Sequence, residues 1–86
     1  MRKFKFHYDA AHGWLKVHQL DLADIKMRAS EFSSYSYRDG EWLYLEEDCD
    51  AGKFLSTYDK LFGVGQFSIV EVNDGDHSPI RNLPRN

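Results

Sequence analysis

Four carboxylates fall within five residues, Glu46, Glu47, Asp48 and Asp50, with Cys49 among them. Such a cluster can ligate a hard divalent cation through oxygen, run general acid–base chemistry from a close carboxylate pair, or dock on a basic partner. It is also what a helix N-terminus collects, because the macrodipole favours negative charge there. A nucleophilic Cys49 would need a base within reach. A helix N-terminus would lower its pKa, whereas the flanking acids would raise it. No motif surrounds it, and an inert thiol is the expectation.

Four histidines, His7, His12, His18 and His77, are a second source of chemistry. Their spacing matches neither a zinc finger nor an HExxH helix. They are expected at the surface, with no metal, cofactor or catalytic set. Asn73-Asp74-Gly75-Asp76 spaces two carboxylates as some calcium loops do, but it lacks the remaining EF-hand ligands. It reads as a turn.

The aromatic set is Trp14, Tyr35, Tyr37, Trp42 and Tyr44. An in-register hairpin would put Tyr35 and Tyr37 across from Tyr44 and Trp42 on one sheet face. Exposed rings there could stack bases, but Arg38 is the only cation close by in the sequence. They could equally anchor a protein partner or be covered by the chain itself. Arg81 and Arg85 could reach a phosphate, an acidic surface or the chain's own acidic cluster.

These groups must be positioned by a few short elements. Lys3 to Tyr8 alternates and reads as a strand, as does Trp14 to Val17, and a short loop would join the two as a hairpin. Asp21 is the expected N-cap of a short helix, with Leu22, Ile25 and Met27 inward. Asp39-Gly40 marks a second hairpin between Ser34–Tyr37 and Trp42–Glu46. Leu43 and Leu45 occupy one face of that last strand and Trp42 and Tyr44 the other, so it should be central. Asp48 to Phe62 reads as the main helix, capped by Asp48 or Asp50. Phe54, Leu55, Tyr58, Leu61 and Phe62 form its apolar stripe, and Gly63 ends it. Gln66 to Val72 is the last strand.

The expected fold class is therefore α+β: one small domain over residues 1–73, ordered ββαββαβ. Its antiparallel or mixed sheet has about five strands, with two helices on one face. Residues 74–86, with Gly75, Pro79 and Pro84, read as an irregular C-terminal tail, extended along the body or partly disordered.

Composition narrows the function class. The chain has 86 residues, a net charge of −3, 42% apolar and 15% aromatic residues. That size and balance suit one modest core. The charge argues against a general nucleic-acid binder. One cysteine permits no internal disulfide and fits a reducing compartment. The basic start lacks the apolar stretch of a signal peptide, and no apolar run is long enough to span a bilayer. A cytoplasmic, soluble protein with no membrane partner is expected.

Four segments, His12-Gly13-Trp14-Leu15, Tyr35-Ser36-Tyr37, Tyr44-Leu45-Glu46-Glu47-Asp48-Cys49-Asp50-Ala51 and Ser78-Pro79-Ile80-Arg81, resemble a group of short proteins found on bacteriophages and plasmids of proteobacteria. The resemblance spans most of the chain and transfers no catalytic residues. It implies a bacterial cytoplasm and a mobile-element setting. Small acidic proteins in that setting often block a host protein, CRISPR and restriction components included. The function expected is a non-enzymatic protein-binding regulator, an inhibitor of such a defence complex. It would act through Glu46, Glu47, Asp48 and Asp50, flanked by Trp42, Tyr44, Tyr35 and Tyr37. A small metal-dependent enzyme using the acidic cluster and a nucleic-acid regulator using the ring face are the alternatives.

Overall fold

A computed structural model describes all residues, Met1–Asn86. Five strands form one mixed sheet: β1 (Arg2–Tyr8), β2 (Gly13–His18), β3 (Tyr37–Asp39), β4 (Trp42–Glu46) and β5 (Phe67–Asn73). Their spatial order is β3-β4-β2-β1-β5. All neighbours are antiparallel except β1 and β5, which run parallel. The helix α2 (Gly52–Phe62) supplies the crossover that a parallel pair requires. A one-turn-and-a-half helix, α1 (Gln19–Asp24), follows β2. The fold is α+β with one main helix, and no helix is long and apolar enough to cross a membrane.

The alternation along β4 makes it two-sided. Leu43 and Leu45 turn to the helix side and join Phe4, Leu15, Val17, Leu22, Ile25, Phe32, Ala51 and Phe54 in the main core. Phe4 and Phe54 meet edge to face, with ring centroids 5.3 Å apart. Tyr44 turns the other way and packs with Trp14, Tyr37 and Ile80 in a second, smaller cluster. Ile80 belongs to the C-terminal segment, which is not loose: Pro79–Asn82 forms a 3₁₀ turn that lies over the second sheet face. Beyond it the chain runs beside β3, where the Arg38 amide donates to the Pro84 carbonyl (2.8 Å) and Asn86 donates to Ser36 (2.8 Å). The segment is irregular in form but docked through Ser78, Ile80 and its last residues.

Several boundaries differ from the sequence reading, each for a local reason. The β3–β4 loop is only Gly40-Glu41, with Gly40 at φ 61°. That tight turn pairs Tyr37 with Tyr44 and Asp39, not Tyr37, with Trp42; Tyr35 lies outside the sheet. The cap of α1 is His18, whose Nδ1 accepts from Leu20 N. Asp21 stands three residues further on and accepts from the His18 amide, as the acid of a capping box does. Ahead of α2, Glu46 caps a wide π turn, Glu47–Ala51, and the α-helix that continues from Gly52 has no side-chain cap of its own. The stripe of α2 is core only at its first half: Leu61 and Phe62 are about half exposed. Gly13 is packed tightly, since a Cβ there would run into the Phe6 ring.

Ile80 is buried in a small apolar cluster, so Ile80→Ala should destabilise the chain by about 2–3 kcal/mol through lost burial and an unfilled cavity. Urea unfolding checks this, and a change under about 0.5 kcal/mol, the scale of a neutral surface substitution, would mean the C-terminal segment does not dock.

Candidate functional site

The acidic cluster divides into structural and free members. Glu46 ends β4 with its carboxylate turned onto the start of the helix, accepting from Asp48 N (2.9 Å) and Cys49 N (2.8 Å). Asp50 is buried and points into the body. It accepts from the Ser33 amide and hydroxyl (2.7 Å for the latter) and from the Ser36 hydroxyl. Ser36 in turn accepts from the Glu46 amide (2.9 Å). These bonds hold the 33–36 loop against the helix start and keep it from continuing as a strand. Only Glu47 and Asp48 face solvent, and neither has an ion-pair partner. The surplus of acid over what a helix cap requires is thus two residues rather than four.

A second carboxylate network fixes the C-terminal segment. Asp9, in the β1–β2 loop, is buried and accepts from five donors. They are Ala11 N, His12 N, Ser78 N, and Nε and a terminal nitrogen of Arg81 (2.6 and 2.9 Å). The Arg81 guanidinium, ahead of these backbone amides, holds the Asp9 carboxyl far below its ordinary value, against the opposing pull of burial. The Ser78 hydroxyl donates to Asp74 (2.6 Å), and His7 Nδ1 lies 3.3 Å from the same carboxylate. Serine, histidine and aspartate therefore meet, but the aspartate stands between the other two. The serine proton is directed to Asp74 rather than to an imidazole, and Ser78 is fully buried. This is not the order that activates a nucleophile.

With Arg81 anchored, a cleft of about 370 Å³ opens between the C-terminal segment and the start of the helix. Trp14 and Tyr37 form its floor, Tyr35 and His12 its exposed walls, and Glu46, Asp48 and Cys49 one rim. Arg81 and Arg85 form the opposite rim. Arg81 is neutralised by Asp9. Arg85 is exposed, lies over the Tyr37 ring (5.4 Å) and donates to the Ser34 carbonyl (3.2 Å). The Cys49 thiol has its pKa raised, first by the hydrogen bond to Glu46, then by partial desolvation and the surrounding acids. It is held as the neutral thiol rather than the reactive thiolate.

The expected partner-binding residues therefore separate into three settings. Asp48, Tyr35 and Glu47 are exposed at or beside the cleft, Glu47 on an adjoining hollow it shares with Glu71 and His12. Glu46, Asp50, Tyr37 and Tyr44 are buried. Trp42 lies on the far half of the sheet face, away from the cleft and partly exposed. The four histidines do not converge, and no group of three or more His, Cys, Asp or Glu is arranged to hold a metal ion. His12 and Trp14 join Arg85 in one site only through the tertiary fold, because Arg85 lies at the far end of the sequence. The Pro-rich spacing of the last segment was the one available sign that it returns to the body. No protein-family model matches the chain, and no characterised protein or solved structure is significantly similar to it.

The depressed Asp9 pKa has a defined sign. Its ordinary value is 3.8 and its folded value is lower. The contribution to stability is therefore present above about pH 4 and lost as pH falls towards the folded pKa. The thermal midpoint should drop steeply on acidification from about pH 5 to pH 2. Asp9→Asn should lower the midpoint at neutral pH and flatten that acid limb. Calorimetry across this range checks both effects.

Proposed function

We propose that the chain is a non-enzymatic protein-binding module. Its cleft takes a basic side chain of a partner protein against Tyr35 and Asp48, with Glu47 adding charge beside it. The observation that carries this reading is the cleft itself, where ring faces and an unpaired carboxylate sit together on an ordered rim. A Lys or Arg entering there can lie over an aromatic face and pair with a carboxylate at once. The buried acids hold that rim without competing for the ligand. The neutral Cys49 thiol and the aspartate-centred Ser78–Asp74–His7 arrangement favour binding over chemistry. The setting on a mobile element, and a nucleic-acid-handling defence complex as the target, rest on the resemblance of the four segments. All four contribute residues to the cleft wall or to its anchor at Arg81.

Charge reversal of the free acids, Glu47→Lys with Asp48→Lys, should leave the fold intact and weaken capture of the host partner at least tenfold in affinity purification. Asp48→Asn and Tyr35→Ala should each have a smaller effect. Undiminished capture by the folded double variant would overturn the reading.

A second reading rests on a separate observation. The half of the second sheet face that the C-terminal segment leaves open carries Lys3 and Lys5 on β1 and Lys16 on β2, and of these Lys16 lies against Trp42. Lys5 and Lys16 are direct cross-strand neighbours. Lys16 Nζ lies 4.4 Å from the Trp42 ring and 5.9 Å from Tyr44. No carboxylate forms an ion pair with any of the three lysines. Like charges directly opposite weaken a sheet, so this arrangement favours an external polyanion such as single-stranded nucleic acid, with Trp42 to stack a base. Binding of a labelled single-stranded oligonucleotide at low salt should be abolished by Lys5→Glu with Lys16→Glu. Lys16→Gln should weaken binding while slightly raising the thermal midpoint. An absence of binding by the natural chain would remove this reading.

A further inference from the structure

The two edges of the sheet are unlike. At one, β3 is three residues long and covered by the returning C-terminal segment, which bridges Tyr37 through Arg85 and bonds to Arg38. At the other, β5 runs for seven residues and pairs only with β1, so its outer backbone edge is open. Natural edge strands are guarded by lysine, proline, bulges or brevity. None of these guards stands in Phe67–Asn73, whose single charge is Glu71.

Apolar side chains gather at this same edge. Ile69 is 39% exposed on the helix side, and Val70 is 45% exposed on the opposite face. Leu61, Phe62 and Val64, at the end of α2 and in the loop that enters β5, are exposed as well.

We propose that β5 pairs antiparallel with β5 of a second copy of this chain, joining two five-stranded sheets into one of ten strands. The edge is self-complementary. Pairing about Val70 sets Val70 opposite itself, Ser68 opposite Val72, Ile69 opposite Glu71 and Phe67 opposite Asn73. Glu71, the only charge, never faces its own copy, so no like-charge pair forms across the seam. Because β3 is closed by the C-terminal segment, β5 cannot add to the far edge of another copy. The association is therefore a closed two-fold dimer rather than an open filament.

The test is sedimentation equilibrium of the full chain from the micromolar to the submillimolar range, with Val70→Lys beside it. The expected result is a concentration-dependent species of twice the chain mass. For Val70→Lys it is the single-chain mass with unchanged circular dichroism, because Val70 lies outside both apolar clusters. If Val70→Lys does not fold, Ser68→Lys, on the same face, makes the same test. A natural chain of single mass at every concentration would overturn the proposal, as would a folded edge variant that still dimerises.

Discussion

A single buried carboxylate organises the second half of this protein. Asp9 is shielded from solvent and satisfied by three backbone amides and a guanidinium fork. Burying such a charge without partners is prohibitive, and losing one partner strands the rest. The β1–β2 loop and the C-terminal segment are therefore obliged to stay together. With them held, Ile80 covers Trp14, Tyr37 and Tyr44, and the last residues lie along β3. The cleft, the covered edge and the split of the ring face into closed and open halves all follow from that docking.

The acidic stretch shows how one charge run can serve two purposes. Glu46 and Asp50 satisfy backbone and hydroxyl donors that folding would otherwise leave unmet at the helix start and the 33–36 loop. Glu47 and Asp48, with the same chemistry and one or two residues away, satisfy nothing and face solvent. The surface as a whole is polarised. Free acids sit beside the β1–β2 loop, free lysines sit on the open half of the sheet, and bare apolar side chains line the β5 edge.

The local grammar of the chain was readable. Alternation placed three of the long strands and a β-branched run the last, Asp39-Gly40 placed the second hairpin, and the 3.6-residue stripe with Gly63 placed the main helix and its end. Errors gathered where a side chain acts on distant backbone. Asp50 bonds Ser33 and Ser36 and so shortens β3 at its start, moving Tyr35 out of the sheet. Glu46 reaches past its own strand to cap the π turn that leads into the helix, and neither Asp48 nor Asp50 caps it. The half-exposed Leu61 and Phe62 fit the stripe but extend beyond the strands that could cover them.

Sequence by itself determined the fold class, the two-faced interior strand β4 and the carboxylate surplus, because period, turn chemistry and capping are short-range effects. Tertiary structure alone decided which carboxylates are free, that Lys16 lies against the Trp42 ring, and that residues 74–86 close half of one sheet face and one edge. Each of those outcomes depends on pairing across tens of residues, as between Asp9 and Arg81 or β1 and β5. Such pairings are selected by the burial and satisfaction of charge and hydrogen bonds in the whole molecule, which no local window contains.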